Sequence, residues 1–455
     1  MPREILLSAL IISIFLVISL VAFPEGAASL LVILVLSLIF LGVFRHFADD
    51  KHFVANVFFA GLALRLGFGL FVHVFDLRGF FGGDALTYDF RGYLLMQTWV
   101  GGVKQVLDPM TANALSTSAV GWGMNYLVGF IYLFTGRNIL AAQSFCAVIG
   151  AATAPMVYSC ARRIFGNDQV AKNAAWVVAL FPAFIIWSGQ LLKDGLIVFM
   201  LVLAITMLLR LQEKLDPMAI MLLLLSLGGI LALRFYIFYM VGVAVAGSFV
   251  VGVSSTSGSL IRRTAALVFL GLGLTYFGIT RTATQNIDAY GNLQKMQISR
   301  LDLAQEAKSG FAEDTDVSTT AGAISAIPVG FVYLMFAPFP WEASSLRQMI
   351  TLPEVLVWWA MIPLMLYGIW WTVRHKLRAA LPVMIFTLML TLAYSIFQGN
   401  VGTAYRQRTQ IQVFLFIFIA VGWQLYKERA ADRKLIALEK RRRFEHAQQA
   451  RAGQS

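Results

Sequence analysis

The chain has 455 residues, of which 59% are hydrophobic and 13% charged, and its mean hydropathy is +0.74. No water-soluble fold of this length solvates so apolar a surface, and apolar runs of about 18 residues or more recur along it, so the chain reads as an all-α polytopic integral membrane protein. The net charge of +12 sits in short loops and a basic tail, a positive-inside pattern with some affinity for anionic lipid rather than a nucleic-acid footprint, and the roughly ten-residue alternating segments of a membrane barrel are absent.

About twelve spans are expected. In chain order they are Ile5–Val21, Ala27–Phe44, Phe53–Phe75, Ile139–Cys160, Ala171–Trp187, Gly195–Leu211, Met218–Leu233, Phe235–Val253, Ala265–Ile279, Val355–Val373, Ala380–Phe397 and Ile411–Tyr426. The first run has no small-residue cleavage site behind it and leads through "FPEG" into the second, so a retained helix is expected there. Cys146 and Cys160 lie in one apolar segment and read as small buried hydrophobes.

Two further apolar stretches, Ala119–Thr135 and Ile324–Pro340, are interrupted by Gly or Pro. Leaving them out of the count puts every basic loop on one face: Arg45–Lys51, Ala161–Lys172, Arg210–Lys214, Arg262–Arg263 and Arg374–Arg378. Counting Ala119–Thr135 as a span would move Arg162 and Arg163 to the other face. Both stretches are therefore expected as interfacial or re-entrant helices on the outer face, with both termini cytoplasmic. The outer segments are then 76–138, 188–194, 281–354 and 398–408. Two of them are long enough to make that face the working one. The organisation expected is one membrane domain, 1–426, and a basic, helix-compatible cytoplasmic tail, 427–455.

Several polar residues are costly in such a chain. Arg65 lies inside the third span, where an arginine costs on the order of 3 kcal/mol, so an anionic partner is expected: Asp84, Asp89 or a bound phosphate. The stretch "GGDALTYDFRGY" opens the first outer segment and carries Asp84, Tyr88, Asp89 and Arg91 on an expected interfacial helix, Ala85–Val100. On that helix Asp84 and Tyr88 share a face. The paired glycines allow a tight turn and a close approach to a ligand, although an aspartate there also serves as a plain helix cap. Lys193 and Asp194 sit in the second outer turn. Arg234, Arg406 and Arg408, with Tyr405, place cations on the outer side against the positive-inside rule, and guanidinium forks suit phosphate oxygens. One outward cavity with carboxylates on one wall and arginines on another fits a sugar carried on a lipid phosphate. A carboxylate then takes the proton of an acceptor hydroxyl while an arginine stabilises the leaving phosphate. No P-loop or dinucleotide fingerprint is present.

The run "LALRLGFGLF", "GGDALTYDFRGYL", "YLFTG", "ARRIFG", "FP" and "WSGQLLKDGLIVF" resembles the GT-C superfamily of membrane glycosyltransferases, over roughly 62–211, with similarity to exopolysaccharide-cluster and family-39-like members. The resemblance implies a polyprenyl-phosphate-linked sugar donor and a lipid, glycan or protein acceptor on the outer face of a bacterial inner membrane. It assigns the catalytic aspartate to Asp84, with Asp89 beside it, and the second acidic motif to Asp194. The family's basic outer turn that holds donor phosphate corresponds to Arg406 and Arg408, and the chain's own charge pattern adds Arg65, Lys193 and Arg234 as expected donor-phosphate contacts and Tyr88, Arg91 and Tyr405 as expected substrate-lining residues. Some members hold a divalent metal between the two acidic motifs, so Asp84 and Asp194 are the candidates for Mg²⁺ or Mn²⁺. The chain departs from the pattern in having three expected spans before the aspartate, and no tandem Asp-Glu pair follows "GGD". A polymerase or ligase acting on lipid-pyrophosphate glycan is the alternative, which would rely on the 281–354 segment, and a lipid-linked-substrate transporter or flippase is the third reading.

Overall fold

The computed structural model describes residues 25–47, 49–81, 83–101, 109–117, 119, 121–251, 257–305, 309–312, 315–343 and 345–452, with 13, 14, 17 and 21 besides. The expected first span therefore lies outside the described residues except at those four positions, and so does Gly82. Among the described residues the fold is all-α, with one isolated bridge between Gly310 and Asn400.

The helices are α1 (Glu25–Phe47), α2 (Lys51–Val74), α3 (Arg78–Phe81), α4 (Asp84–Val100), α5 (Pro109–Leu115), α6 (Gly123–Thr135), α7 (Ile139–Phe165), α8 (Asp168–Leu180), α9 (Pro182–Ser188) and α10 (Lys193–Glu213). They continue as α11 (Pro217–Leu233), α12 (Phe235–Val251), α13 (Ser257–Tyr276), α14 (Ile279–Tyr290), α15 (Leu293–Gln305), α16 (Thr320–Phe336), α17 (Leu346–His375), α18 (Leu377–Phe397) and α19 (Val401–Ala452).

Seven of these are long and apolar enough to cross a bilayer: α1, α2, α7, α10, α17, α18 and the first two-thirds of α19. An eighth crossing exists if α8 and α9, bent by 54° at Phe181–Pro182, count as one broken span. Proline cannot donate the next helical hydrogen bond, and Phe181 before it is extended, so the helix stops and restarts there. Three of the expected spans, around α11, α12 and α13, form shorter apolar helices. The two interrupted stretches form α6 and α16, each below spanning length.

The bundle centres on α10, whose apolar stretch is 94% buried, packed against α7, α11 and α19. Small side chains allow this. Ala147, Gly150, Ala151 and Ala154 line α7, and neither Gly150 nor Gly195 has room for a Cβ against Ser188. The same device joins α17 to α19, where Gly368 and Gly422 each lie against the other helix's backbone.

Local signals fix the ends. Asn138 caps α7 through Ala141 N, Asp216 caps α11 before Pro217, and Ser345 opens α17 with a reciprocal capping box to Gln348. Three of the basic loops meet one another through ion pairs. At one end of the bundle Arg162 meets Asp49 at 3.7 Å, Lys172 meets Asp50 at 2.8 Å and Asp168 at 2.7 Å, Arg210 meets Asp216 at 2.6 Å, and Arg163 pairs with Glu213. The other end collects the N-termini of α4, α10 and α19 and the C-terminus of α11.

Candidate functional site

At that second end, α4 begins directly on Asp84, behind Gly83. Gly92 lets α4 lie close on α6, with no space for a Cβ against Val128. Asp84 remains half exposed. Asp194 occupies the first turn of α10, follows the extended Leu192 and is 1% exposed. A carboxylate buried this deeply needs charged partners to remain ionised. Arg406 Nε donates to its Oδ2 at 2.5 Å and Arg234 Nη2 to its Oδ1 at 3.4 Å. The Nη1 of the same Arg406 donates to Asp84 Oδ2 at 2.7 Å.

One guanidinium thus ties together three segments far apart in sequence, with its carbon 5.7 Å from the centre of the Trp187 ring. Arg234 lies at the C-terminal end of α11, with its guanidinium 6.0 Å from the Tyr236 ring centre. Lys193 is half buried beside them, within electrostatic reach of Asp84, Asp194, Arg234 and Arg406, and forms no hydrogen bond or ion pair among the described residues. Gly121, with φ +73°, leaves space for its ammonium, since a Cβ there would come 3.0 Å from Nζ. Tyr88 is one turn along α4 from Asp84. Burial, and then the Asp84 charge, push its phenol well above the ordinary value, which keeps it a neutral donor.

Arg406 also lines a cavity of about 700 Å³. Its apolar walls include Phe80, Phe81, Trp187, Leu346 and Ile350, and Tyr405 and Arg347 contribute polar edges. Arg347 Nη2 donates to Gly79 O at 3.1 Å, which ties α17 to the α3 segment that leads into Asp84. The cavity therefore joins a cation to an apolar, aromatic hollow, a combination suited to an amphiphile with an anionic head.

Four expected site residues are placed otherwise. Asp89 faces away from Asp84, because five residues along a helix turn the side chain by about 140°. Its Oδ1 accepts from Tyr132 Oη at 2.6 Å and its Oδ2 from Arg137 Nη2 at 2.7 Å. It is 7% exposed and clamps α4 to the turn between α6 and α7, apart from the Arg406 cluster.

Arg65 is buried and has no carboxylate partner among the described residues. Its Nε donates to Ser188 Oγ at 2.8 Å, and its Nη1 to Gly61 O at 2.9 Å and Ala179 O at 3.2 Å. Its Nη2 reaches Val178 O at 3.5 Å. The expected aspartate or phosphate partner is thus replaced by the carbonyls left unpaired where α8 stops before Pro182, the negative end of a helix dipole.

Arg408 points away from Arg406, since two helical residues differ by about 200°. It is fully buried, and its Nη1 donates to Met335 O at 3.1 Å and Ala337 O at 2.9 Å, at the end of α16. It holds the end of that helix. Arg91 is half buried and forms no ion pair among the described residues. Tyr405 does line the cavity, and its hydroxyl donates to Glu354 Oε2 at 2.8 Å.

The sequence reading missed Trp187, Arg137, Arg347 and Glu354. Of these only Glu354 carried a signal, as a carboxylate inside the apolar "TLPEVLVWW".

A divalent metal shared by Asp84 and Asp194 does not fit the donor set. The oxygens of the two carboxylates that face each other both accept from Arg406, and the remaining Asp194 oxygen accepts from Arg234. No cluster of three or more metal-ligating side chains occurs among the described residues. The arrangement instead alternates carboxylate and guanidinium, with cationic charge in excess: two acids face Arg234, Arg406 and Lys193. Comparison with protein-family models, with characterised proteins and with solved structures gives no match to the chain.

Proposed function

We propose that the protein is a membrane glycosyltransferase of GT-C type that moves a sugar from a polyprenyl-phosphate donor to a lipid, glycan or protein acceptor on the extracytoplasmic face of a bacterial inner membrane. In this reading there are about twelve crossings, with both termini cytoplasmic. The single observation that carries it is Arg406, held between Asp84 and Asp194 at the edge of a large apolar cavity.

The chemistry follows from those groups. The half-exposed Asp84 carboxylate takes the proton of the acceptor hydroxyl, the acceptor oxygen bonds to the anomeric carbon, and the bond from that carbon to the phosphate oxygen breaks. Negative charge developing on the departing polyprenyl phosphate falls to Arg406, with Lys193 and Arg234 behind it. The buried Asp194 keeps the Arg406 guanidinium aimed and charged, and the prenyl chain lies along the aromatic hollow. No nucleotide or nucleic acid takes part.

The test is transfer by the purified protein in nanodiscs supplied with polyprenyl-linked sugars from bacterial membranes, read as release of polyprenyl phosphate by mass spectrometry. Asp84→Asn is expected to lose turnover by at least about 100-fold, the scale of a lost general base. Normal turnover by a monodisperse Asp84→Asn protein rules out the assigned base, and product glycans lengthened by whole repeats would favour a polymerase.

A further inference from the structure

The ion pair between Asp84 and Arg406 joins two groups in very different surroundings. The Asp84 side chain is 49% exposed, whereas that of Arg406 is 16% exposed and that of Asp194 is 1% exposed. Asp194 already accepts from Arg406 Nε and from Arg234. The buried part of the cluster therefore holds one carboxylate against three cations, and Asp84 supplies the other negative charge from its solvent side. Arg406 Nη1 is the N–H that Asp84 accepts, and Arg406 also lines the cavity. Lys193, without a hydrogen bond or ion pair among the described residues, lies nearby against Gly121, within electrostatic reach of the cluster.

We propose that Arg406 Nη1 is an anion seat that the Asp84 carboxylate itself fills, and that a lipid phosphate displaces Asp84 from it. Asp84 is then a tethered competitor for the head group. Arrival of the phosphate transfers the Arg406 hydrogen bond from carboxylate to phosphate and frees the carboxylate to face an acceptor. The naming of the lipid as a polyprenyl phosphate rests on the transferase reading; the exchange itself rests only on the charges and distances. A phosphate head group offers Arg406 more negative charge and more acceptor oxygens than one carboxylate does.

The test measures binding rather than turnover. The full chain in nanodiscs is titrated with undecaprenyl monophosphate, with phosphatidylglycerol and with undecaprenol, which lacks the phosphate, and bound lipid is read by native mass spectrometry. Asp84→Asn removes the competitor and is expected to bind undecaprenyl monophosphate about fivefold more tightly, the factor for a half-exposed ion pair. Asp84→Glu keeps the charge and is expected to stay within about twofold of the natural chain. Arg406→Ala is expected to lose the binding.

Unchanged or weaker binding by Asp84→Asn overturns the exchange, and so does an equal gain for undecaprenol. An equal gain for phosphatidylglycerol leaves the exchange standing and removes the polyprenyl donor from the transferase reading. A probe on the natural Asp84 guards against misfolded variants. Leu86 is 49% exposed and both native cysteines are buried, so Leu86→Cys takes a single fluorophore on the first turn of α4. Its signal is expected to change on adding undecaprenyl monophosphate and to saturate with binding; a signal that stays constant while lipid binds also overturns the proposal.

Discussion

Removing Arg406 tests the charge cluster most directly. Arg406→Ala leaves Asp194 with Arg234 as its hydrogen-bonding cation, at 3.4 Å, and Asp194 is 1% exposed. Breaking a buried pair in this way costs about 3–5 kcal/mol, most of it the desolvation of the carboxylate left behind. Asp84 loses the same partner but is half exposed, and water replaces it there, so its share is about 1 kcal/mol or less. The two halves are separable. Asp84→Asn is expected to leave thermal stability almost unchanged. Asp194→Asn in the Arg406→Ala background is expected to recover part of the loss, because the orphaned charge disappears with it. The assay is tryptophan-fluorescence unfolding in one fixed detergent, where the Arg406→Ala change lowers the midpoint by on the order of 5 °C. Equal losses for Asp84→Asn and Asp194→Asn, or a double variant no more stable than Arg406→Ala, would refute the assignment of Asp194 as the buried anchor.

Asp89→Ala strands Tyr132 and Arg137 and is expected to cost about 1–3 kcal/mol, while the protein that folds keeps its transfer rate; a lost rate at normal stability would restore Asp89 to the chemistry. Arg65→Leu uncovers the end of α8 and is expected to lower stability by about 3 kcal/mol with undecaprenyl monophosphate affinity unaltered, as measured by unfolding and lipid titration. At the opposite end of the bundle the Lys172 ammonium, above all, holds the Asp50 carboxyl below its ordinary value. The contribution of this group is present above the unfolded value near pH 4 and is lost as the pH falls through the lower folded value, so Asp50→Asn is expected to flatten that part of an acid-stability profile.

Much of this architecture was legible because a bilayer imposes a coarse code. Length and hydropathy located α1, α2, α7, α10, α17, α18 and α19, since each must satisfy its backbone internally over the bilayer's thickness. The code is blind to breaks. The run Ala171–Trp187 reads as one segment, yet Pro182 divides it into α8 and α9. The sorting of charges was legible too, because Arg162, Arg163, Lys172 and Arg210 all fall at helix ends that meet on one side. Arg234 and Arg406 stood out as cations kept where the loop rule disfavours them, and Asp84 and Asp194 as carboxylates at the mouths of the outer segments.

What residue type and depth could not supply was the identity of each partner. Arg65 and Arg408 are as buried as any arginine among the described residues, and the sequence reading expected Asp84, Asp89 or a phosphate at the first and a donor phosphate at the second. Their partners include backbone carbonyls. Val178 and Ala179 precede Pro182, and Met335 and Ala337 precede Pro338. A helix that stops before proline leaves carbonyls without internal partners, and in an apolar interior these are a concentrated negative charge that no water relieves. An arginine from a neighbouring helix meets that need and has its own charge met in return. Among the described residues Arg406 bonds to no such carbonyl; its N–H groups meet two carboxylates, one buried and the other half exposed. At Pro182 and Pro338 the arginine that meets the helix end comes from a neighbouring helix, whereas the charge of Arg406 is met by side chains.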